Sequence, residues 1–217
     1  LNIVNAISDI SKPLCIGKYG IILRGYYLEK SEIPSTFDVF TKSTQIDYYD
    51  KKENRQNLSS FYISEEKTLE MILPNVKTVT EIGCLNGETC NAIKKKYDQI
   101  SCLGIDIDSE AIKIAKKRFQ DIKFVEGDFM DSLIEQPKSE LVFALNLFDH
   151  FSDWKSALRN LKRFSSKYIN FSTLMRLSGS TITDPDLSYF YYSGSGRRIL
   201  WAVHNIFELA SYCGTED

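Results

Sequence analysis

Between Pro74 and Thr173 short apolar runs alternate with longer amphipathic ones, and this rhythm constrains the fold more than any other feature of the chain. A short run that is apolar throughout needs cover on both faces. An amphipathic stretch offers one apolar face, so the two in alternation build a parallel sheet clothed by helices. Strands are expected at Val76 to Ile82, Ser101 to Asp106, Ile122 to Gly127, Leu141 to Asn146 and Tyr168 to Thr173. The intervening helices follow from spacing: Thr89, Ala92, Ile93 and Tyr97; then Ile112, Ala115 and Phe119 behind a cap at Asp108 or Ser109; then Trp154, Ala157, Leu158 and Leu161. Ser64 is placed to cap a further helix running to about Leu73.

The flanks have weaker patterns. A hairpin is expected around Gly17 to Leu28, and the polar, tyrosine-bearing stretch from Gln45 to Phe61 reads as a lid or cap. After the fifth strand, Ser178 to Ser188 reads as loop, Tyr189 to Tyr192 and Arg198 to Val203 as a pair across Ser193 to Gly196, and Ile206 to Tyr212 as a short helix. The expected organisation is an N-terminal extension or cap over 1–63, a Rossmann-like core over 64–173 and a C-terminal substrate-side segment over 174–217. The fold class is therefore α/β, a doubly wound, mostly parallel sheet with added elements at both ends.

At 217 residues the chain fits one domain with a cap, and its 43% hydrophobic and 26% charged fractions exclude wholesale disorder, collagen-like repeats and coiled coil. A formal charge of -2 gives no global attraction to polyanions or to an anionic membrane, although a local basic patch stays open. No run approaches the roughly 20 apolar residues of a membrane helix. Five cysteines without C-x-x-C spacing, and only two histidines beside them, read as reduced thiols in a cytosolic protein and give no zinc site. The missing initiating Met and a chain that stops just after its last helix suggest a piece of something longer.

Glu81-Ile82-Gly83-Cys84-Leu85-Asn86-Gly87 joins the first strand to the first helix, and in a doubly wound sheet that junction borders the ligand crevice. Its glycines stand four apart, so it is not the G-x-G-x-x-G fingerprint of a dinucleotide site. The carboxylate two residues before the first glycine would repel a diphosphate and suits a ligand carrying an amine. Acidic residues also end strands two and three, at Asp106 and Asp128.

In this pattern the chain resembles the class I S-adenosylmethionine-dependent methyltransferases, whose first motif is an acidic residue followed by G-x-G-x-G. Glu81, Gly83 and Gly87 match it, while Leu85 stands in place of the middle glycine. The resemblance covers about the middle half of the chain. It implies that Gly83, Cys84, Leu85, Asn86 and Gly87 border the methionine part of S-adenosyl-L-methionine, that Asp106, beside Ile107, accepts the ribose hydroxyls, and that Asp128, beside Phe129, accepts the adenine amine. Asn146 and Leu147, in Asn146-Leu147-Phe148-Asp149-His150, would line the methyl-donor side.

The implied activity is transfer of a methyl group to an O or N nucleophile of a small molecule, with a sugar or another biosynthetic intermediate as examples. No metal is required. A hydroxyl acceptor would benefit from a general base, and His150 and His204 are the candidates, each with a structural alternative: a helix cap for His150 and a core or strand-end residue for His204. Tyr48, Tyr49 and Arg55 could close over the cofactor or simply pack. Ser193 to Arg198 could grip a phosphate or be a hairpin tip, and Lys94 to Lys96 and Lys116 to Arg118 are most simply solvated helix faces. Nucleic acid is disfavoured because the motif after strand four is not of the N/D-P-P-Y type. Two rival readings stand beside this one: an NAD(P)-dependent oxidoreductase, and a non-catalytic binding module of the same fold within a larger protein. No feature of the sequence fixes an oligomeric state.

Overall fold

The computed structural model describes residues 14–16, 20–24, 69–191 and 198–215. The strands, in chain order, are β1 (Leu14–Ile16), β2 (Gly20–Arg24), β3 (Thr78–Ile82), β4 (Ser101–Asp106), β5 (Lys123–Glu126), β6 (Ser139–Ala144) and β7 (Ser165–Ser172), and they form one sheet in the order β1-β2-β7-β6-β3-β4-β5. From β2 onward all neighbours are parallel, and only β1 and β2 pair antiparallel. The five expected strands are β3 to β7, and their order, third-second-first-fourth-fifth, is that of a Rossmann-like doubly wound sheet. The hairpin expected near Gly17 forms β1 and β2 and continues this sheet past β7.

Helices α1 (Glu88–Lys96), α2 (Ser109–Arg118) and α3 (Trp154–Phe164) follow β3, β4 and β6. Asp108 is the cap of α2, its carboxylate accepting the amides of Glu110 at 2.9 Å and Ala111 at 3.2 Å. The α3 stripe is buried as its spacing requires: Trp154, Ala157, Leu158, Leu161 and Phe164 pack with Val142, Ala144, Ile169 and Phe171 on one side of the sheet. On the other side Ile93, Ile112 and Ala115 pack with Val79, Leu141 and Phe143. Both faces of the central strands are thus covered, which is why they read as nearly continuous apolar runs.

Two boundaries differ from the sequence expectation for identifiable reasons. β6 ends at Ala144 rather than Asn146 because Asn146 has left-handed backbone, φ 53°, which no strand accommodates. The run expected from Arg198 to Val203 divides into β10 (Arg198–Leu200), paired antiparallel with β9 (Tyr189–Tyr191), and β11 (Val203–Asn205), paired parallel with β8 (Leu174–Arg176). Ala202, between them, spends its amide on the Asp149 carbonyl at 2.7 Å instead of on a sheet partner. Asn205 then caps the last helix, α4 (Ile206–Thr215), through the amides of Phe207 and Glu208. Among the described residues no helix is long and apolar enough to cross a membrane.

Candidate functional site

The chain runs outward from β3 through β4 to β5 and then returns to β6 on the other side of β3. The carboxyl ends of β3 and β6 are therefore the point where strand order reverses, the place where an open α/β sheet leaves a crevice. The loops that follow these two strands approach closely. A Cβ added at Gly83, itself at φ +75°, would lie 3.2 Å from Leu147 Cδ2, so both the backbone conformation and the contact call for glycine there.

In the loop of Gly83 to Gly87 alternate residues are left-handed, with Gly83 at φ 75°, Leu85 at 49° and Gly87 at 80°. Leu85 therefore holds, with a side chain, a conformation that glycine reaches without steric cost. What fixes it is Asp106: the Leu85 amide donates to Asp106 Oδ2 at 2.7 Å, while Oδ1 accepts the Asp108 amide at 2.9 Å. Burial pushes the Asp106 carboxyl above the usual carboxylate range, and the Asp108, Leu85 and Ile107 amides pull it back. Of the roughly four acceptor positions on a carboxylate, two are taken by the Leu85 and Asp108 amides, leaving capacity for about two further donors. Next to it Ile107 is 70% exposed, an apolar side chain held at the mouth of the crevice.

Asp128 follows β5 and is exposed; its Oδ1 accepts the Met130 amide at 2.9 Å. The end of β5 is tied to that of β4 by the Gly127 amide, which donates to the Asp106 carbonyl at 2.8 Å, so the structure brings Asp106 and Asp128 to neighbouring strand ends. Phe129 turns inward, edge-on to Phe151 at 5.3 Å between ring centroids.

Glu81, like Asp106, is buried. It lies on the face of β3 that also carries Val79, is 4% exposed, and accepts from Cys90 Sγ at 3.2 Å. Its charge reaches Cys84, Cys90 and Cys102. Burial first, and this carboxylate second, push all three thiols up, Cys102 to about 12. They are held as protonated, unreactive thiols beneath the loop. Cys84 and Asn86 are buried in the loop as well.

Beyond β6, Asn146 is exposed at its left-handed position and its amide donates to Ser172 Oγ at 2.6 Å. A single helical turn, Phe148–His150, carries the next two groups. Asp149 is buried. Its Oδ1 accepts the Thr173 hydroxyl and the Leu174 amide, the latter at 3.0 Å, and the Trp201 side chain also donates to it. Burial raises this carboxyl, and the Thr173 and Leu174 donors oppose the rise. His150 is exposed, with Nδ1 3.0 Å from the Leu200 carbonyl. Because a carbonyl only accepts, Nδ1 carries the proton and the basic lone pair of the neutral ring belongs to Nε2.

His204 is fully buried, its ring 5.1 Å from that of Phe148 and 5.6 Å from that of Trp154. Neither ring nitrogen has a hydrogen-bond partner among the described residues, and burial lowers its pKa to about 4. It therefore sits in the core behind the turn that presents His150. Tyr48, Tyr49, Arg55 and the turn 193–196 lie outside the described residues. Sequence reasoning missed two roles, that of Asp149 as the knot between the core and the C-terminal segment and that of Arg163, described below. Local spacing carries no signal for either, because their partners lie 24 or more residues away.

Residues 79–167 match the family model described as "Methyltransferase domain". Similar curated proteins include the putative methyltransferase 235L of Invertebrate iridescent virus 6, 32% identical over 98 residues, 45% of this chain and 37% of the viral protein. The ajmaline N-methyltransferase of Rauvolfia serpentina is 29% identical over 96 residues, 42% of this chain and 33% of that enzyme. Among solved structures, the plantazolicin methyltransferase BpumL with a desmethylPZN analogue and SAH superposes with TM-score 0.48 at 19% identity, covering 67% of this chain and 54% of that one. The chain spans between about a third and somewhat over two fifths of the length of the curated relatives it matches. The matched span runs from β3 into β7, through the five-stranded core and both loops of the crevice, and over it the chain is similar to class I S-adenosylmethionine-dependent methyltransferases.

Proposed function

We propose that the protein is an S-adenosylmethionine-dependent methyltransferase acting on an O or N nucleophile of a small molecule. The observation that carries this reading is the pairing of an amide-clamped carboxylate, Asp106, with an exposed one, Asp128, on adjacent strand ends beside the exposed Ile107. The donor set fits a nucleoside. Asp106 has acceptor capacity for a ribose hydroxyl, Asp128 for an exocyclic amine, and Ile107 offers an apolar surface to a base. The glycine loop, with Cys84, Leu85 and Asn86 between Gly83 and Gly87, borders the amino-acid end, and Asn146 and Leu147 face it from β6. Phe129 serves from behind, by packing, and Glu81 from beneath, as a fixed negative charge under a loop that receives a cation. The ajmaline N-methyltransferase among the relatives supports a small-molecule acceptor, and the buried free thiols support a cytoplasmic location.

S-adenosylmethionine supplies an activated sulfonium methyl group. The chain's own contribution is to align the acceptor with that group and to exclude water, which can account for much of the rate enhancement. His150 stands after β6 with its proton fixed on Nδ1 by Leu200, so Nε2 is the atom that takes the proton of an attacking hydroxyl. The C-terminal strands β8 to β11 form the acceptor side.

The test is methyl transfer from isotopically labelled S-adenosylmethionine to a panel of small alcohols and amines. Release of S-adenosylhomocysteine that depends on an acceptor is expected. His150→Ala should then lower kcat by roughly 10²- to 10⁴-fold for a hydroxyl acceptor, with cofactor affinity unchanged. Near-normal turnover would leave His150 only the task of holding Leu200. Cofactor binding without transfer to any acceptor would favour a silent binding module, and binding of NAD(H) in place of S-adenosylhomocysteine would favour an oxidoreductase.

A further inference from the structure

Arg163, on the last turn of α3, reaches across to the loop that follows β5. Nη1 donates to the Asp131 carbonyl at 3.3 Å, and Nη2 donates to the carbonyls of Ser132 at 3.1 Å and Ile134 at 3.2 Å. Nη1 also donates to Asn160 Oδ1 at 2.7 Å, one turn back on the helix. Asn160 is held in turn by the Ser156 carbonyl at 3.0 Å and lies 3.7 Å from Met130 Sδ. Four of these partners, Met130, Asp131, Ser132 and Ile134, belong to one loop.

That loop starts at Asp128. The Asp128 carbonyl accepts the Asp131 amide at 2.9 Å, and its carboxylate accepts the Met130 amide. Asp131 Oδ1 accepts the Leu133 amide at 2.9 Å, and Gly127 lies close under Ile134, where an added Cβ would come within 2.1 Å of Ile134 Cδ1. The exposed part of the loop has little apolar anchoring: Asp131 and Ser132 face solvent and Leu133 is 84% exposed. Phe129, Met130 and Ile134 pack against the core, while the exposed stretch between Met130 and Ile134 is held to α3 by hydrogen bonds, most of them from one guanidinium. The planar fork of arginine has five donors at fixed angles and can span three carbonyls at once, whereas a lysine ammonium presents a single point.

We propose that Arg163 is a positioning residue for base recognition: by fixing the loop of 128–134 to α3 it sets the Asp128 carboxylate where it accepts the 6-amino group of the cofactor's adenine. This inference rests on the cofactor reading above. A carboxylate so placed discriminates sharply, because a 6-oxo base presents an acceptor where a donor is needed and leaves the carboxylate unpaired. A loop released from α3 still offers Asp128 but no longer holds it at one point, so affinity for adenine falls toward that for the 6-oxo base.

The test is calorimetric titration of the full chain with S-adenosyl-L-homocysteine and with its 6-oxo counterpart, S-inosyl-L-homocysteine, for the unchanged protein, Arg163→Met and Arg163→Lys. The unchanged protein should prefer the adenine compound by about tenfold or more. In Arg163→Met that preference should shrink to about twofold, through weaker binding of the adenine compound, while the Kd of the 6-oxo compound stays within about twofold. Arg163→Lys keeps the charge and the stem and should lose most of the same preference; it gives the answer if the Met variant does not fold. A preference that survives in the folded variants, or a parallel loss of affinity for both compounds, would overturn the proposal. Equal binding of the two compounds by the unchanged protein would overturn it while leaving the cofactor reading intact, and binding of neither would mean that the cofactor reading itself had failed.

Discussion

At full burial between Phe148 and Trp154, the imidazole of His204 gains ring contacts but no hydrogen bond among the described residues. An unpaired buried polar group typically costs about 1 to 3 kcal/mol, so His204→Leu, of similar volume, should stabilise the fold by about that much at neutral pH in chemical denaturation. The same residue makes stability depend on acid. Its folded pKa is about 4 against an ordinary 6.5, so between these values the unfolded chain binds the proton and the folded chain does not. Stability should therefore fall as pH drops from 6.5 to 4, by up to about 3 kcal/mol, and His204→Leu should flatten that slope. A destabilised Leu variant with an unchanged slope would show that the ring is paired in solution. The sequence offers His204 as catalytic base or core residue, and its burial comes from Phe148 and Trp154, 50 or more positions upstream, which no local pattern reveals. Leu85 is the opposite case. Its departure from the family's middle glycine is plain in the sequence, and the structure gives it a physical form, a left-handed leucine held by the Asp106 carboxylate.

Among the elements, the turn Phe148–His150 joins the core sheet to the C-terminal strands. Asp149 accepts from Thr173 and Leu174, where β7 gives way to β8, and from Trp201 between β10 and β11, while its carbonyl takes the Ala202 amide. Asp149→Ala strands several buried donors and should cost about 2 to 4 kcal/mol. The loss should be local: amide hydrogen exchange ought to rise across 198–205 while β3, β4 and β6 keep their protection. Uniformly faster exchange would mean that the C-terminal strands fold as one unit with the core. This linkage also explains which elements were legible beforehand. β3 to β7 and α1 to α3 follow from periods of 2 and 3.6 because each has one consistent apolar face, as with Ile112 and Ala115 on α2. β8 and the division between β10 and β11 have no such face, and contacts distant in sequence set their boundaries.

For the molecule as a whole, the decisive feature is strand order, since it alone puts the loops after β3 and β6 on either side of one crevice. The alternating rhythm implies a parallel sheet but not which strands adjoin; the resemblance carried by Glu81, Gly83, Gly87, Asp106 and Asp128 implies the Rossmann-like fold class, and the structure supplies the order. The resemblance groups three carboxylates; the structure buries Glu81 and Asp106, at 4% and 6% exposure, with Glu81 accepting from Cys90, and leaves Asp128 exposed. The central claim is that Asp106 serves both the loop and the cofactor. Titration of the protein and of Asp106→Ala with S-adenosyl-L-homocysteine tests it most directly. Loss of hydrogen bonds to a charged acceptor is worth about 1.5 to 3 kcal/mol, so the unchanged protein should bind and the variant should bind roughly ten- to a hundredfold more weakly. Equal affinity in a folded variant, or no binding by the unchanged protein, would contradict the account.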